Sequence, residues 1–134
     1  MAKKRNAEAR AGARQGLTDA EWAIMNVVWE SQPCAAGTVQ EALEKSHGWA
    51  YSTVKTTMDR MVAKGLLATE AIRNLTLFSA RISRPEAQRG ELRRLLRRAF
   101  DGALSPMLQF LVQEEELSPR EVAELRKIIG RRTP

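Results

Sequence analysis

The sequence predicts a mainly α-helical protein that carries one small β-hairpin. Three stretches within residues 17–65 place apolar side chains three or four positions apart, which is the spacing of a helix with one buried face. Two short alternating stretches follow, separated by a polar turn, as expected of paired strands. Three further helical patterns, each with a serine near its start, occupy residues 83–134.

Composition and charge are typical of a globular protein with a polyanionic partner. Hydrophobic residues make up 43% and charged residues 28% of the 134 residues. The net charge of +6 and the pI near 10.1 favour nucleic acid or an anionic membrane. No apolar run reaches the ~20 residues of a membrane-spanning helix, and the basic N-terminus lacks a signal-peptide core. The single cysteine, Cys34, fits a cytoplasmic location.

The charge is distributed unevenly along the chain. Residues 1–16 hold five basic residues and one acidic residue, without apolar periodicity, and are predicted to form a disordered basic arm. Residues 17–83 hold six basic and seven acidic residues. Because this middle region is not basic overall, any binding to nucleic acid there depends on where the charges lie.

The first helix is predicted to end at about residue 31. Thr18 and Glu21 have the spacing of a capping box, and Leu17 with Trp22 takes the two positions of a hydrophobic staple. Pro33 stops the helix.

The second helix is predicted over "AAGTVQEALEKS", with Val39, Ala42 and Leu43 facing inward. The third covers "YSTVKTTMDRMVAKG", in which Gly65 is the C-terminal cap. Its apolar stripe consists of Val54, Met58, Met61 and Val62.

The strands are predicted as "LLATEA" and "LTLFSA", with "IRN" as the turn. Helix, short helix, helix and hairpin is the order of a winged helix-turn-helix. Residues 17–82 are therefore predicted to be a DNA-binding domain of this type.

The exposed side of the third helix has an unusual composition. Threonine is a poor helix former, yet three of five consecutive positions in this helix, residues 53–57, are threonine. In a helix-turn-helix this helix enters the major groove, where short hydroxyl side chains reach phosphates and leave a methyl group for thymine. Lys55 and Arg60 lie on the same side as the threonines and can reach guanine acceptors or phosphates.

Residues 83–134 are predicted to form a three-helix dimerisation domain. The helices start at Ser83 with Glu86, at Ser105 with Pro106, and at Ser118 with Glu121, and the last ends at Gly130. A unit this small rarely buries enough surface to be stable alone, so its apolar stripes are expected to pack against a second copy. The residues predicted in that interface are Leu95, Phe100, Leu108, Leu111, Val122, Leu125 and Ile128.

No catalytic residue is predicted. His47 is interpreted as a turn residue and Cys34 as a small helix-start or core residue, and neither has a partner in the sequence. There is no glycine-rich phosphate loop or paired-carboxylate motif, and one cysteine cannot form a cysteine-rich metal site. We therefore expect no cofactor and no metal.

The segments "LTDAEWAIMNVVW", "WAYSTVKTTMDRMVAKGLL" and "LSPREVAELRKII" resemble the penicillinase repressor family, also called the BlaI/MecI/CopY family, over Leu17 to Ile129. The resemblance implies a winged helix that binds operator DNA and a helical part that dimerises. This chain departs from the family pattern in two ways. Its wing has fewer basic residues than is common there, and Phe78 stands on the return strand of the wing where tyrosine is usual. The DNA-binding residues implied by position are Ser52, Thr53, Lys55, Thr56 and Arg60 of the recognition helix and Arg73 and Asn74 of the wing tip.

The resemblance also implies how the repressor could be inactivated. In the antibiotic-response branch, a membrane-bound sensor system causes cleavage of the repressor at an Asn-Phe bond in the dimerisation part. The matching bond here is Gln109–Phe110, in which glutamine replaces the asparagine of the family. The resemblance therefore implies a sensor-linked protease as a partner. The copper branch uses a C-terminal cysteine hook that "KIIGRRTP" lacks, which disfavours copper sensing.

Two functions remain open from the sequence. The first is a homodimeric transcriptional repressor that binds a palindromic operator in double-stranded DNA, is released by a signal and has no membrane partner. The second is a winged-helix protein-interaction module that does not read DNA, because the same fold hosts both uses. The near-neutral charge of residues 17–83 supports the second.

Overall fold

The computed structural model describes residues 16–114 and 117–131, so the predicted N-terminal arm lies outside the described residues apart from Gly16. The predicted fold class, mainly helical with one hairpin, is confirmed. In chain order the elements are α1 (Asp19–Ser31), α2 (Ala36–His47), α3 (Tyr51–Ala63), β1 (Leu67–Ile72), β2 (Leu75–Ala80), α4 (Arg84–Phe100), α5 (Leu104–Glu114) and α6 (Pro119–Gly130).

The chain divides into two compact units, one ending at Arg94 and the other beginning at Leu95. In the first unit, helices α1, α2 and α3 and the base of the hairpin enclose one hydrophobic core. Of the positions predicted to face inward on α2, Val39 and Leu43 are buried, whereas the prediction for Ala42 was wrong. The largest fully buried side chains are Ile24, Met25, Val28, Val39, Val54, Met58, Met61, Leu66, Leu67 and Phe78.

The inward row of α2 explains the error at Ala42. The row consists of Ala36, Val39 and Leu43, which are three and four residues apart, and Ala42 lies beside it on the exposed flank. A small apolar residue at the edge of a helix stripe is compatible with either position, so the sequence pattern does not decide between them.

A buried carboxylate joins the start of α1 to the end of α3. Glu21 is only 4% exposed. Its Oε1 accepts the Thr18 N–H at 2.9 Å, and the Thr18 hydroxyl accepts the Glu21 N–H at 3.1 Å, so the predicted capping box is confirmed. The second oxygen, Oε2, accepts from Lys64 Nζ at 2.7 Å. One side chain therefore caps α1 and anchors the end of α3.

Helix α3 ends in a Schellman motif. The Leu66 N–H donates to the Met61 carbonyl at 2.9 Å, and the Gly65 N–H donates to the Val62 carbonyl at 3.0 Å. Gly65 has φ +82°, a conformation that glycine adopts without a steric penalty, and this confirms it as the predicted cap. The motif turns Leu66 straight into the core and directs the chain into β1.

The hairpin is tighter than predicted. Ile72 pairs with Leu75, so the turn consists of Arg73 and Asn74 alone, and Arg73 has φ +57°. Only the base of the hairpin joins the core, while both faces of its tip are exposed.

A second contact ties the base of the hairpin to the connection between α1 and α2. The Cys34 N–H donates to the Phe78 carbonyl at 3.0 Å, and the Phe78 N–H donates to the Cys34 carbonyl at 2.7 Å. This pair of bonds fixes β2 beside the helices.

The first part of α4 belongs to the first unit. Trp29 Nε1 donates to the Ile82 carbonyl at 2.9 Å, and the Arg84 guanidinium lies 5.2 Å from the Trp29 ring centroid. Ile82 and Ala87 are buried with the core. The first compact unit thus extends past residue 83, at which the sequence places the start of the dimerisation domain. That boundary between the two functional domains remains a prediction.

The second unit contains helices α5 and α6. The predicted capping box of Ser118 and Glu121 is confirmed, with both of its hydrogen bonds at 3.2 Å. The predicted cap at Ser105 is wrong, because α5 begins at Leu104 and Ser105 lies inside its first turn. Helix α6 ends at Gly130 as predicted, and Arg131 is its capping residue.

We predict that Glu21→Ala destabilises the first unit more than Glu21→Gln does. Alanine removes the capping bond and the ion pair, whereas glutamine keeps an oxygen that can accept the Thr18 N–H. A lost cap costs about 1 kcal/mol, so the free energies of unfolding should differ by about that amount. Urea unfolding followed by tryptophan fluorescence measures it. Equal losses in the two variants would show that Glu21 contributes through Lys64 alone.

Candidate nucleic-acid interface

The start of α3 is fixed by the turn that follows α2. Gly48 has φ +64° and its N–H donates to the Glu44 carbonyl at 2.8 Å, which closes α2. Gln40 Nε2 then donates to the Trp49 carbonyl at 3.2 Å, and the His47 ring lies 4.3 Å from the Trp49 ring. Together with the anchor at Lys64, these contacts set the direction in which α3 faces.

One side of α3 is open to solvent along its whole length. Ser52, Thr56, Asp59 and Ala63 follow one another at helical spacing, and all four are exposed. The opposite side carries the three fully buried residues of the apolar stripe. The helix therefore presents one continuous polar face, called the open face below, whose central line is formed by these four residues.

The threonines of α3 divide into two kinds. Thr57 is half-buried, and its hydroxyl donates to the Thr53 carbonyl at 2.8 Å, so the helix itself uses that hydroxyl. Ser52, Thr53 and Thr56 are exposed, and their hydroxyls form no hydrogen bond within residues 16–114 and 117–131. These three hydroxyls are available to an outside partner.

Lys55 is not a free cation. It lies at one edge of the open face, and its Nζ contacts the two carboxylate oxygens of Asp59 at 2.7 and 2.9 Å. The same Nζ lies 5.9 Å from the Phe78 ring centroid, within the range of a cation–π interaction. Lys55 and Asp59 are 37% and 56% exposed, respectively.

Asp59 was missed by the sequence analysis. Its spacing from Ser52 and Thr56 places it on the central line, and its position four residues after Lys55 is that of a helical ion pair. Both signals are present in the sequence, but an acidic side chain is not expected on a surface that meets DNA.

Arg60 is the second basic residue of the face. It is exposed and lies on the opposite edge from Lys55, seven residues after Thr53. Within the described part of the chain it has no ion pair, whereas Lys64 is engaged by Glu21. The guanidinium of Arg60 is thus the basic group of α3 most available for a phosphate.

Arg73 and Asn74 form the tip of the hairpin and are both exposed. The residues on either side, Ile72 and Leu75, are also exposed although they are apolar. The tip therefore offers one charge and one amide on an otherwise apolar end, which is a weaker electrostatic surface than a basic wing.

The described residues also bear on three other possibilities, namely a reactive thiol, a metal site and a membrane-spanning helix. Burial raises the pKa of the Cys34 thiol, so it keeps its proton at neutral pH and is a poor nucleophile. Among the described residues, no group of three or more His, Cys, Asp or Glu side chains could hold a metal ion. Nor is any helix in this part of the chain long and apolar enough to cross a membrane.

The second unit leaves most of its apolar side chains uncovered. Met107 is buried, and the Phe100 and Phe110 rings lie 6.0 Å apart. Phe100 and Val122 are half-buried. The other residues predicted in the dimer interface are exposed, namely Leu95, Leu108, Leu111, Leu125 and Ile128.

Helices α5 and α6 also form a groove of about 410 Å³, which is lined by Leu111, Leu117 and Leu125 and edged by charged residues of α6. The bond between Gln109 and Phe110 lies in the middle of α5, and both side chains are exposed.

Comparison with known proteins identifies the family. Residues 17–131 match the family model described as penicillinase repressor. Similar proteins include the methicillin resistance regulatory protein MecI of Mammaliicoccus sciuri, 21% identical over 116 residues that span 87% of this chain and 94% of the relative. The penicillinase repressor of Bacillus licheniformis is 25% identical over 113 residues, which span 84% and 88% of the two chains.

Among solved structures, the DNA-binding domain of the repressor BlaI aligns with 52% of this chain and 85% of its own, at 24% identity and a TM-score of 0.48. The family match covers both compact units, from the start of α1 to the cap of α6. The chain therefore belongs to the penicillinase repressor family, as its sequence motifs predicted.

Proposed function

We propose that this chain is a transcriptional repressor that binds operator DNA through the open face of α3. The observation that carries the proposal is the set of exposed, unbonded hydroxyls of Ser52, Thr53 and Thr56 beside the unpaired Arg60. Such a surface is poor for helix stability and well suited to contacts with bases and phosphates. Membership of a family named for repression supports the same function.

The side chains contact different parts of the DNA according to their position along α3. Ser52, Thr53 and Thr56 lie in the first turns, which in a helix-turn-helix reach the base edges and the nearest phosphates. Arg60 lies further along and binds the phosphate backbone, which adds affinity for every sequence. Arg73 and Asn74 at the tip of the hairpin contact the backbone beside the groove.

We propose further that the protein acts as a homodimer on a palindromic operator. The support is the apolar surface of the second unit, including Leu125, Ile128 and the groove between α5 and α6, which is costly to leave in water. A two-fold dimer presents two α3 helices to two half-sites, so the symmetry of the operator mirrors that of the protein.

The alternative is a winged-helix module that binds another protein and does not read DNA. The pairing of Lys55 with Asp59 favours it to some extent, because it leaves the open face with little net charge. The two functions differ in a measurable way, since DNA binding releases counterions and depends steeply on salt.

The first test compares Arg60→Ala with Arg126→Ala. The second variant removes the same charge from α6, in the other unit. Loss of one phosphate contact should lower the slope of log affinity against log salt by about 0.9 and weaken binding to all duplexes alike. Arg126→Ala should leave the slope unchanged.

The measurement is fluorescence anisotropy at several salt concentrations, with duplexes chosen by sequencing the genomic fragments that the protein retains. An unchanged slope in folded Arg60→Ala would contradict the role of Arg60. Absence of sequence-selective binding by the wild type at every salt concentration would favour the protein-interaction module.

The second test compares Leu125→Glu with Ala123→Glu. Both introduce one carboxylate into α6, but Leu125 belongs to the apolar stripe and Ala123 lies on the other side of the helix. Leu125→Glu should shift the protein from dimer to monomer in sedimentation and lower operator affinity by ~10²–10⁴, because the half-sites are no longer linked. Ala123→Glu should do neither. A wild type that is monomeric at micromolar concentration would refute the dimer.

For release from the operator, we propose cleavage at Gln109–Phe110 by a sensor-linked protease. Cutting α5 in the middle would separate α6 from α4 and remove part of the apolar surface of the second unit. The exposure of both side chains supports access, but the helix must first open locally, because proteases bind an extended backbone.

The test is to induce cells with a β-lactam and follow the protein by mass spectrometry. We expect a fragment that ends at Gln109, and faster cleavage of Gln109→Asn, which restores the Asn-Phe bond of the antibiotic-response branch. Persistence of the intact chain while the target genes are expressed would exclude cleavage and indicate a ligand or a partner protein.

A further inference from the structure

The open face of α3 contains one residue that a simple DNA-binding surface would avoid. Asp59 is the single acidic residue of α3, and it lies on the central line with Ser52 and Thr56. Duplex DNA carries about one negative charge per 1.7 Å of its axis, so a carboxylate placed in its groove is repelled. A carboxylate at this position needs a compensating interaction.

Lys55 supplies the compensation. Its Nζ donates to both oxygens of Asp59, at 2.7 and 2.9 Å, and lies 5.9 Å from the Phe78 ring centroid. The two side chains therefore form one unit without net charge, which is already ordered before DNA arrives. Such preorganisation lowers the entropy lost on binding.

The pair retains capacity for further hydrogen bonds. An ammonium group has three N–H donors, of which two are directed at Asp59, so one remains. A carboxylate offers about four lone-pair sites, of which Lys55 occupies two. The unit therefore presents one donor beside the two acceptor sites that remain on the carboxylate, about as far apart as two hydrogen-bonded atoms.

A G·C base pair offers the complementary arrangement in the major groove. Guanine presents the acceptors O6 and N7, and cytosine presents the N4 amino donor. O6 and N4 are hydrogen-bonded to each other at about 2.9 Å, which matches the separation within the Lys55–Asp59 unit. The one free N–H of the ammonium can point between O6 and N7 while a carboxylate oxygen lies over N4, and every added contact joins a donor to an acceptor.

An A·T base pair is a poorer match. Adenine N6 can donate to Asp59 and adenine N7 can accept from Lys55, so adenine offers the ammonium one acceptor where guanine offers two, O6 and N7. The second acceptor of the A·T pair, thymine O4, lies beside the thymine C5-methyl group, which crowds a hydrated ammonium. The unit therefore discriminates between the two kinds of base pair.

We propose that Lys55 and Asp59 act together as one recognition unit for a G·C base pair of the operator half-site, with Asp59 accepting from cytosine N4 and Lys55 donating to guanine. The inference rests on the proposed function, because it requires α3 in the major groove. It adds Asp59 as a residue that determines specificity.

The test is selection of duplexes from a randomised library by the full chain and by variants. Asp59→Asn should change one G·C position of the selected half-site and leave the others intact, because asparagine prefers adenine. The preference for G·C over A·T at that position should fall about 5- to 100-fold. Lys55→Met should relax the same position. Glu44→Gln, which removes an exposed carboxylate from α2, should leave the selected sequence unchanged.

The outcomes separate this inference from the proposed function. A wild type that selects a half-site, with Asp59→Asn selecting the same one, would overturn the recognition unit alone. So would effects of Asp59→Asn and Lys55→Met at two different positions, or tighter binding of Asp59→Asn to every duplex alike. A wild type that selects no sequence would overturn the proposed function as well.

Discussion

The geometry of the first unit depends on the buried carboxylate of Glu21. A charge removed from water is tolerated only when hydrogen bonds and an opposite charge replace its hydration. Glu21 satisfies this requirement in one arrangement of its neighbours, with the Thr18 N–H at one oxygen and Lys64 Nζ at the other. Because Thr18 starts α1 and Lys64 ends α3, the same arrangement fixes the two helices to each other. This contact therefore also determines the direction in which the open face of α3 points.

This anchoring also explains how α3 tolerates a sequence that is unfavourable for a helix. Thr53, Thr56 and Thr57 lower its intrinsic propensity, and an isolated helix of this length would be marginal in water. Its stability comes instead from the buried side and from the contacts at its two ends. Because the exposed residues of α3 are not needed to stabilise the helix, their side chains can be chosen for binding a partner.

The sequence predicted features that depend on neighbours within a few residues. The capping boxes at Thr18 and Ser118 and the cap at Gly65 follow from local backbone rules and are confirmed. The predictions for Ala42 and Ser105 were wrong, because a small apolar residue at the edge of a helix stripe and a serine near a helix start are each compatible with two local arrangements. The pairing of Lys55 with Asp59 depends on a long side chain whose rotamers the backbone pattern does not fix.

The two units differ in how completely each covers its own apolar residues, and this difference suggests where a signal can act. The first unit encloses its core, so α3 can keep its shape whether or not a second copy is present. The second unit leaves Leu111, Leu125 and Ile128 exposed, so in the proposed repressor their burial would depend on association. A linked pair of half-site contacts gains ~10²–10⁴ in avidity, about 3–6 kcal/mol. In the proposed repressor, a signal that disrupts only the second unit would therefore release the operator without altering any residue of the proposed DNA contact.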